Sequence, residues 1–216
     1  ESSKPGSESI TLSEEIHRLK PVIESYKKYF QLPLSIDTQK SEVADYALNF
    51  GASIINDITG FSSDSMINVA SKYQATVIVM HMQNNPKIMQ QKPQYKNVIE
   101  DISDFLTDRI VQLEKMGVTD IMIDPGIGFG KSLEHNIEIF KKLKSFKKLN
   151  KPIVIGSSKK SFISMITQDK DDERLEGTVI SHFIALQKGA SMIRVHDVAS
   201  AKKTIQLYHA FKEQHD

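Results

Sequence analysis

Ile121-Met122-Ile123-Asp124-Pro125-Gly126-Ile127-Gly128-Phe129-Gly130-Lys131 reads as a strand that stops at a carboxylate and passes into a loop with three glycines. Short Ile- and Val-rich runs suit strands buried on both faces of a parallel sheet. Five more runs follow the same rule: Leu34-Ser35-Ile36-Asp37, Ile54-Ile55-Asn56-Asp57, Val77-Ile78-Val79-Met80-His81, Ile153-Val154-Ile155-Gly156-Ser157-Ser158 and Ile193-Arg194-Val195-His196-Asp197. Each stops at polar or ionisable residues, and helix-like segments separate them. Parallel strands joined by helices point the same way, so their C-terminal ends share one face. The polar ends collect on that face, where an α/β barrel builds its active site.

The segments between the strands support this order. Thr11 and Glu14 form a capping-box pattern, and Ile16, Leu19, Ile23, Tyr26 and Phe30 follow at helical spacing. Pro21 falls inside that helix and is expected to bend it. Residues 41–50 form a helix stopped by Gly51. Gly51-Ala52-Ser53 and Gly189-Ala190-Ser191 each lead from a helix into a strand, and Gly117 plays the same part before Ile121. The repeating unit is helix, glycine stop, strand, polar end; its spacing is too irregular for a solenoid. Residues 81–95 read as a long loop, of the kind that often serves as a functional lid. Helices are expected over about 98–116, 133–148 with Ser132 as N-cap, 158–167, 172–188 and 199–213. Residues 1–7 are polar and turn-forming, hence a loop. The expected fold is a TIM (β/α)8 barrel in one domain, 1–216. Only six of its eight strands are countable, so two βα units are expected to be missing ahead of Glu1.

The totals exclude several classes. The 28 Lys and Arg nearly balance 27 Asp and Glu, leaving a net charge of +1, which argues against a nucleic-acid partner. With no cysteine there is no disulfide framework and no thiolate zinc site, a usage compatible with a reducing cytoplasm. No apolar stretch approaches the length of a membrane span, and residues 1–30 lack a signal-peptide hydrophobic region.

Three stretches carry chemistry. In 124–131 the glycines would let the backbone come close to a ligand; a plain Gly-rich turn with a capping Asp is the other reading. The spacing is not that of a P-loop. Ser157-Ser158-Lys159-Lys160-Ser161 crosses from strand into helix and could hold an anion or a polarised carbonyl; the other reading is a helix cap with exposed lysines. Arg194 and His196 alternate onto one side of the last strand and suit phosphate or pyrophosphate, unless Arg194 is salt-bridged to Asp197 or another strand-end carboxylate. Asp37, Asn56 and Asp124 could match the donors and acceptors of a planar heterocycle. Capping of the next helix fits Asp57 well and Asp37 poorly. His81 reads as a core histidine bonded to backbone rather than a metal ligand, since no second ligand has sensible spacing. His17, His135, His182, His209 and His215 read as surface residues, and the methionines as core fillers.

Together, Glu1 to Gly6, Ser35 to Thr38, Ile54 to Ile58, His81-Met82-Gln83, Asp124 to Lys131, Gly156 to Phe162 and Arg194 to Val198 resemble the dihydropteroate synthase family, in the family's order and from end to end of the chain. The resemblance implies a magnesium-assisted transferase of folate biosynthesis. It joins 6-hydroxymethyl-7,8-dihydropterin pyrophosphate to 4-aminobenzoate and is a target of sulfonamides. It implies pterin contacts from Asp37, Asn56, Asp124 and Lys160, with Asp37, Asp124 and Lys160 catalytic. Arg194 and His196 would hold the pyrophosphate. Ser3, Pro5, Phe129, Lys160 and Ser161 would border the aminobenzoate. A metal-contacting Asn is expected in the missing N-terminal segment, and a cytoplasmic homodimer is implied by the family alone.

The chain departs from the family where Ser3-Lys4 replaces the usual Thr-Arg and Lys159-Lys160 the usual Arg-Lys, which keeps charge but loses a bidentate fork. The alternatives are a pterin-binding methyltransferase domain and a non-catalytic pterin-binding fragment. Methyl transfer has no pyrophosphate to bind, so Lys159-Lys160-Ser161, Arg194 and His196 argue against the first.

Overall fold

The computed structural model describes residues 2, 4, 6–170 and 173–212. Among them, six parallel strands run in chain order: β1 (Ser35–Asp37), β2 (Ile54–Asp57), β3 (Thr76–Met80), β4 (Ile121–Asp124), β5 (Val154–Ile155) and β6 (Met192–Ile193). β1 to β4 pair as one sheet and β5 with β6 as another; a parallel bridge between Ile123 and Ile153 joins the two. Helices alternate with the strands, so the architecture is six consecutive units of an α/β barrel, as the runs of Ile and Val predict.

The register follows from burial. Ile36, Ile55, Val77, Val79, Ile121, Ile123, Ile153 and Ile155 are all buried, leaving no apolar position for a polar side chain to share. A one-residue slip would turn every side chain of a strand to the other face. The register therefore sets Asp37 beside Asn56 and Met80 beside Asp124.

Around the sheet lie α1 (Leu12–Tyr29), α2 (Ser41–Asn49), α3 (Asp64–Tyr73), α4 (Val98–Lys115), α5 (Leu133–Lys141), α6 (Ser161–Thr167), α7 (Leu175–Gln187) and α8 (Val198–Phe211). α1 runs unbroken through Pro21. Its Thr11 cap accepts from the Glu14 N–H, but the Glu14 carboxylate turns to Arg18, so the box is half made. Ser132 caps α5 in a full capping box with His135. The helix expected over 133–148 breaks at Lys142 and continues as a 3-10 turn, Leu143–Leu149. α6 starts at Ser161 rather than 158, because Lys159 takes a left-handed φ of 56°.

The glycine stops are one device used three times. Gly51, Gly117 and Gly189 have φ of +104°, +81° and +100°. The next N–H reaches back five residues in each case, Ala52 to Ala47, Val118 to Leu113 and Ala190 to Ala185. This is the Schellman ending, which an L side chain adopts only with strain.

Three expectations fail. α3 has no place among the helices read from the sequence; Asp64-Ser65-Met66 begins with polar residues, and only Met66, Ile67 and Ala70 are buried. Asp57 does not cap α3, whose N-cap is Ser63. Its buried carboxylate accepts instead from the Thr59 N–H and hydroxyl at 2.8 Å and the Phe61 N–H at 3.0 Å, holding the turn after β2. His182 is buried in α7, not on the surface; His215 lies outside the described residues.

Asp57→Ala should orphan those donors in a dry site. The expected cost is about 3 kcal/mol of unfolding free energy. Urea titration should show a lowered midpoint at unchanged slope; an unmoved midpoint would refute the account of the turn.

Candidate active site

The fold brings six of the sequence-predicted residues into one cleft, five of them polar or charged and the sixth Phe129. Asp37, Asn56, Asp124, Lys160 and Arg194 line it, with Ile58, Met80, Ile127, Phe129 and Gly156 supplying apolar wall. Asn56 donates through its amide to Asp37, and Arg194 donates to the other Asp37 oxygen. Arg194 thus pairs with a strand-end carboxylate other than Asp197, one of the alternatives open from the sequence. Asp197 instead caps α8, accepting from the Ser200 N–H at 2.7 Å.

Asp124 is the buried acid. One oxygen accepts from the Gly126 N–H at 2.7 Å. Burial pushes its carboxyl up to about 6, against the pull of that N–H and of Lys160, Lys131 and Arg194. Burial likewise brings the Lys160 ammonium down to about 8, with Asp124 and Asp37 opposing and Arg194 reinforcing. Lys160 Nζ lies 3.9 Å from the centre of the Phe129 ring, a cation–π contact. A carboxylate and an ammonium are thus both moved toward neutrality, a pattern common at functional sites.

The segment 157–161 divides its roles. Ser157 is buried, with its hydroxyl 2.8 Å from that of Ser181. The Ser158 hydroxyl lies 2.9 Å from His196 Nδ1. Neither hydroxyl lines the cleft, and α6 begins with exposed Ser161. His196 is exposed next to the cleft, and burial of part of its ring, with Arg194, Lys159, Lys160 and Lys4 nearby, depresses its pKa. Ser3 and Pro5 lie outside the described residues. Their neighbour Gly6 donates to the Pro86 carbonyl at 3.1 Å, which docks residues 6–7 on the loop after β3.

Two of the three glycines of 126–130 meet backbone of the protein itself. A Cβ on Gly126 would lie 1.9 Å from the His81 carbonyl oxygen, and one on Gly130 would lie 2.7 Å from that of Gln83. Both residues have positive φ. The close approach they permit is between two loops of the protein. The sequence also hid Lys131, 3% exposed and bonded to His81 and Phe129. Its one sequence signal is a lysine directly after a glycine loop. His81 is a core histidine as expected, and its Nδ1 also lies 3.1 Å from Lys131 Nζ. A wider apolar groove between α7 and α8 lies away from all these charges.

Known proteins share this fold and much of this sequence. A family described as "Pterin binding enzyme" matches residues 1–196. The dihydropteroate synthase of Escherichia coli (strain K12) is 36% identical over 212 residues, 97% of this chain and 75% of that one. The Yersinia pestis dihydropteroate synthase, solved with a sulfonamide drug, superposes with a TM-score of 0.94 at 33% identity, over 97% of this chain and 77% of that one. The Thermus thermophilus enzyme in complex with 4-aminobenzoate gives 0.93 at 33%, over 98% and 82%. The chain belongs to the dihydropteroate synthase family of pterin-binding enzymes.

If Asp124 is what holds the Lys160 pKa up against burial, Asp124→Asn should move it lower still. NMR titration of reductively 13C-methylated protein should show the Lys160 dimethylamine titrating at lower pH in the variant. A resonance that titrates as in wild type would separate the two groups.

Proposed function

We propose that this protein condenses 6-hydroxymethyl-7,8-dihydropterin pyrophosphate with 4-aminobenzoate, releasing pyrophosphate and 7,8-dihydropteroate in folate biosynthesis. The observation that carries this reading is the meeting of two carboxylates, an amide and two cations at the strand ends, lined on one side by Ile58, Met80 and Phe129. A pterin offers an amino group and ring N–H donors on one edge and a 4-oxo acceptor beside them. Asp124 and Asp37 would accept from the donors, Asn56 can do either, and Lys160 would donate to the oxo group.

The chemistry needs no protein nucleophile. As the C–O bond to pyrophosphate breaks, positive charge develops on the pterin methylene, and Asp37 and Asp124 would stabilise it. The aminobenzoate nitrogen then forms the C–N bond and loses a proton. Arg194 and His196 would take the pyrophosphate. Phe129, Lys160 and Ser161, with Ser3 and Pro5, would border the aminobenzoate, where sulfonamides would compete.

Magnesium belongs to this proposal by family relationship. Among the described residues no three His, Asp or Glu side chains are grouped to hold a metal. Magnesium keeps several waters and binds largely through substrate phosphates. The ion would be held by pyrophosphate oxygens together with the Asn that the family relationship expects ahead of this chain, and no step here is routed through it.

We also take residues 1–216 as part of one barrel domain, with two further strands closing it between β6 and β1. A cytoplasmic homodimer is proposed on the family relationship. The α7–α8 groove, lined by Ile180, Phe183, Ile184, Leu207 and Phe211, supports the dimer. A methyltransferase reading gives Arg194 and His196 no pyrophosphate to receive.

The test is release of pyrophosphate that depends on both substrates; release without aminobenzoate, or none, would overturn the assignment. Asp124→Asn keeps shape and removes charge, and should lower turnover about tenfold to a thousandfold, more than Asp37→Ala. The ionised Asp124 is the acceptor, so affinity for the pterin substrate should fall as pH drops through about 6. Inorganic pyrophosphate should bind without pterin and more weakly in Arg194→Ala; equal affinities by titration calorimetry would remove Arg194 from the anion site.

A further inference from the structure

Lys131 takes no part in the contacts proposed above, yet it is the most deeply buried cation near the cleft. Its ammonium donates to the Phe129 carbonyl at 2.9 Å and the His81 carbonyl at 3.4 Å, and lies 3.1 Å from His81 Nδ1. Three donors thus meet three acceptors drawn from two loops. That arrangement requires His81 to offer a bare Nδ1 with its proton on Nε2. Burial, helped by the charge of Lys131, keeps the ring neutral.

Burying an ammonium is costly even when it is bonded, and an apolar side chain would fill the space without that cost. What the ammonium adds is direction. It fixes the Phe129 peptide, and the Phe129 ring carries the Lys160 ammonium. The backbone beside it packs on the Lys160 stem, since a Cβ on Gly128 would lie 3.2 Å from Lys160 Cδ. Two neutral bonds join the same pair of loops further out: Gln90 donates to the Gly128 carbonyl, and the Tyr95 hydroxyl donates to the Gly130 carbonyl at 2.8 Å. The charged member of the set sits innermost, between β3 and β4.

We propose that Lys131 is a positioning residue: its ammonium clasps the loop after β3 to the loop after β4, and so holds Phe129 and, through it, Lys160 where pterin and aminobenzoate meet. The inference rests on the roles given to Phe129 and Lys160 in the proposed function. Lys131 has an electrostatic consequence too. Asp124 faces Lys131 from its own loop, Lys160 from the segment before α6, Arg194 after β6, Asp37 and Asn56 at the ends of β1 and β2, and His81 after β3. Removing one of its three cations should make Asp124 harder to ionise.

The experiment uses the full-length enzyme with Lys131→Met, which keeps the stem and deletes the charge. The KM for 4-aminobenzoate should rise and kcat should fall, each by about tenfold, as expected when reacting groups are misplaced by a fraction of an ångström. The acid limb of the pH profile for pterin-substrate binding should move to higher pH. A purely structural role would lower the melting temperature and leave KM and the acid limb where they are, and that result overturns the proposal. If Lys131→Met does not fold, Tyr95→Phe removes a neutral bond of the same clasp. It should raise the aminobenzoate KM by a smaller factor with the acid limb unmoved; kinetics equal to wild type would overturn the clasp. Wild-type turnover in the same assay separates the two readings. Its absence overturns the assigned reaction and this inference with it, whereas unchanged variants beside an active wild type overturn the inference alone.

Discussion

Everything at the mouth of this barrel depends on one constraint: the interiors of β2 to β5 are buried and leave polar side chains a place only at the strand ends. β1 to β6 are two to five residues long, and their interior positions are apolar almost without exception. Full burial of one Ile contributes about 2 kcal/mol, so a slip in register would cost several such terms at once. The pairing of Asp37 with Asn56 and of Met80 with Asp124 is thus set by hydrophobic burial, not by attraction among the polar groups themselves. The site inherits its geometry from the core.

Electrostatics then works inside that fixed frame. Asp37 and Asp124 sit among Lys131, Lys160 and Arg194, a surplus of positive charge in a chain whose net charge is only +1. Burial opposes each ionised form, raising Asp124 and lowering Lys131 and Lys160, while the opposite charges hold them partly in place. Such a cluster tolerates the removal of no single member without shifting the rest. The surplus cations favour an anionic substrate, and the buried carboxylate favours one that also carries N–H donors. A pterin linked to pyrophosphate has both.

Much of this was legible in the chain. Strand order, parallel direction, the glycine stops and the polar residues of the cleft all follow from short apolar runs and what ends them. What escaped reading depends on contacts across elements. α3 carries few buried positions, so its periodicity is faint. Asp57 and Asp37 look alike in sequence; only the fold turns one into its own loop and the other into the cleft. His182 sits in a helix with apolar residues on several faces, where no stripe marks which side is inward. Gly126 and Gly130 announce a close approach but not to what, and the answer is a carbonyl of the neighbouring loop. Lys131 is the extreme case, since nothing local distinguishes a lysine that will be buried between loops from one that will be solvated.

The two acids of the cleft also differ in what they can give up. The Arg194–Asp37 pair is part-exposed, with side chains 55% and 39% accessible. Exposed ion pairs contribute about 0–1 kcal/mol, so a phosphate could draw Arg194 away from Asp37 at small cost. Asp124 has no such freedom. It is 6% exposed, bonded to the Gly126 N–H, and its own carbonyl accepts from the His81 N–H at 2.9 Å. The cleft therefore joins an adjustable half, at the ends of β1 and β6, to a rigid half at the ends of β3 and β4. The rigid half is also where the two loops are clasped. A site that must hold a flat ring still while an anion leaves is served by that division: the Arg194–Asp37 pair could be exchanged for a phosphate contact while Asp124 stays fixed by its two backbone bonds.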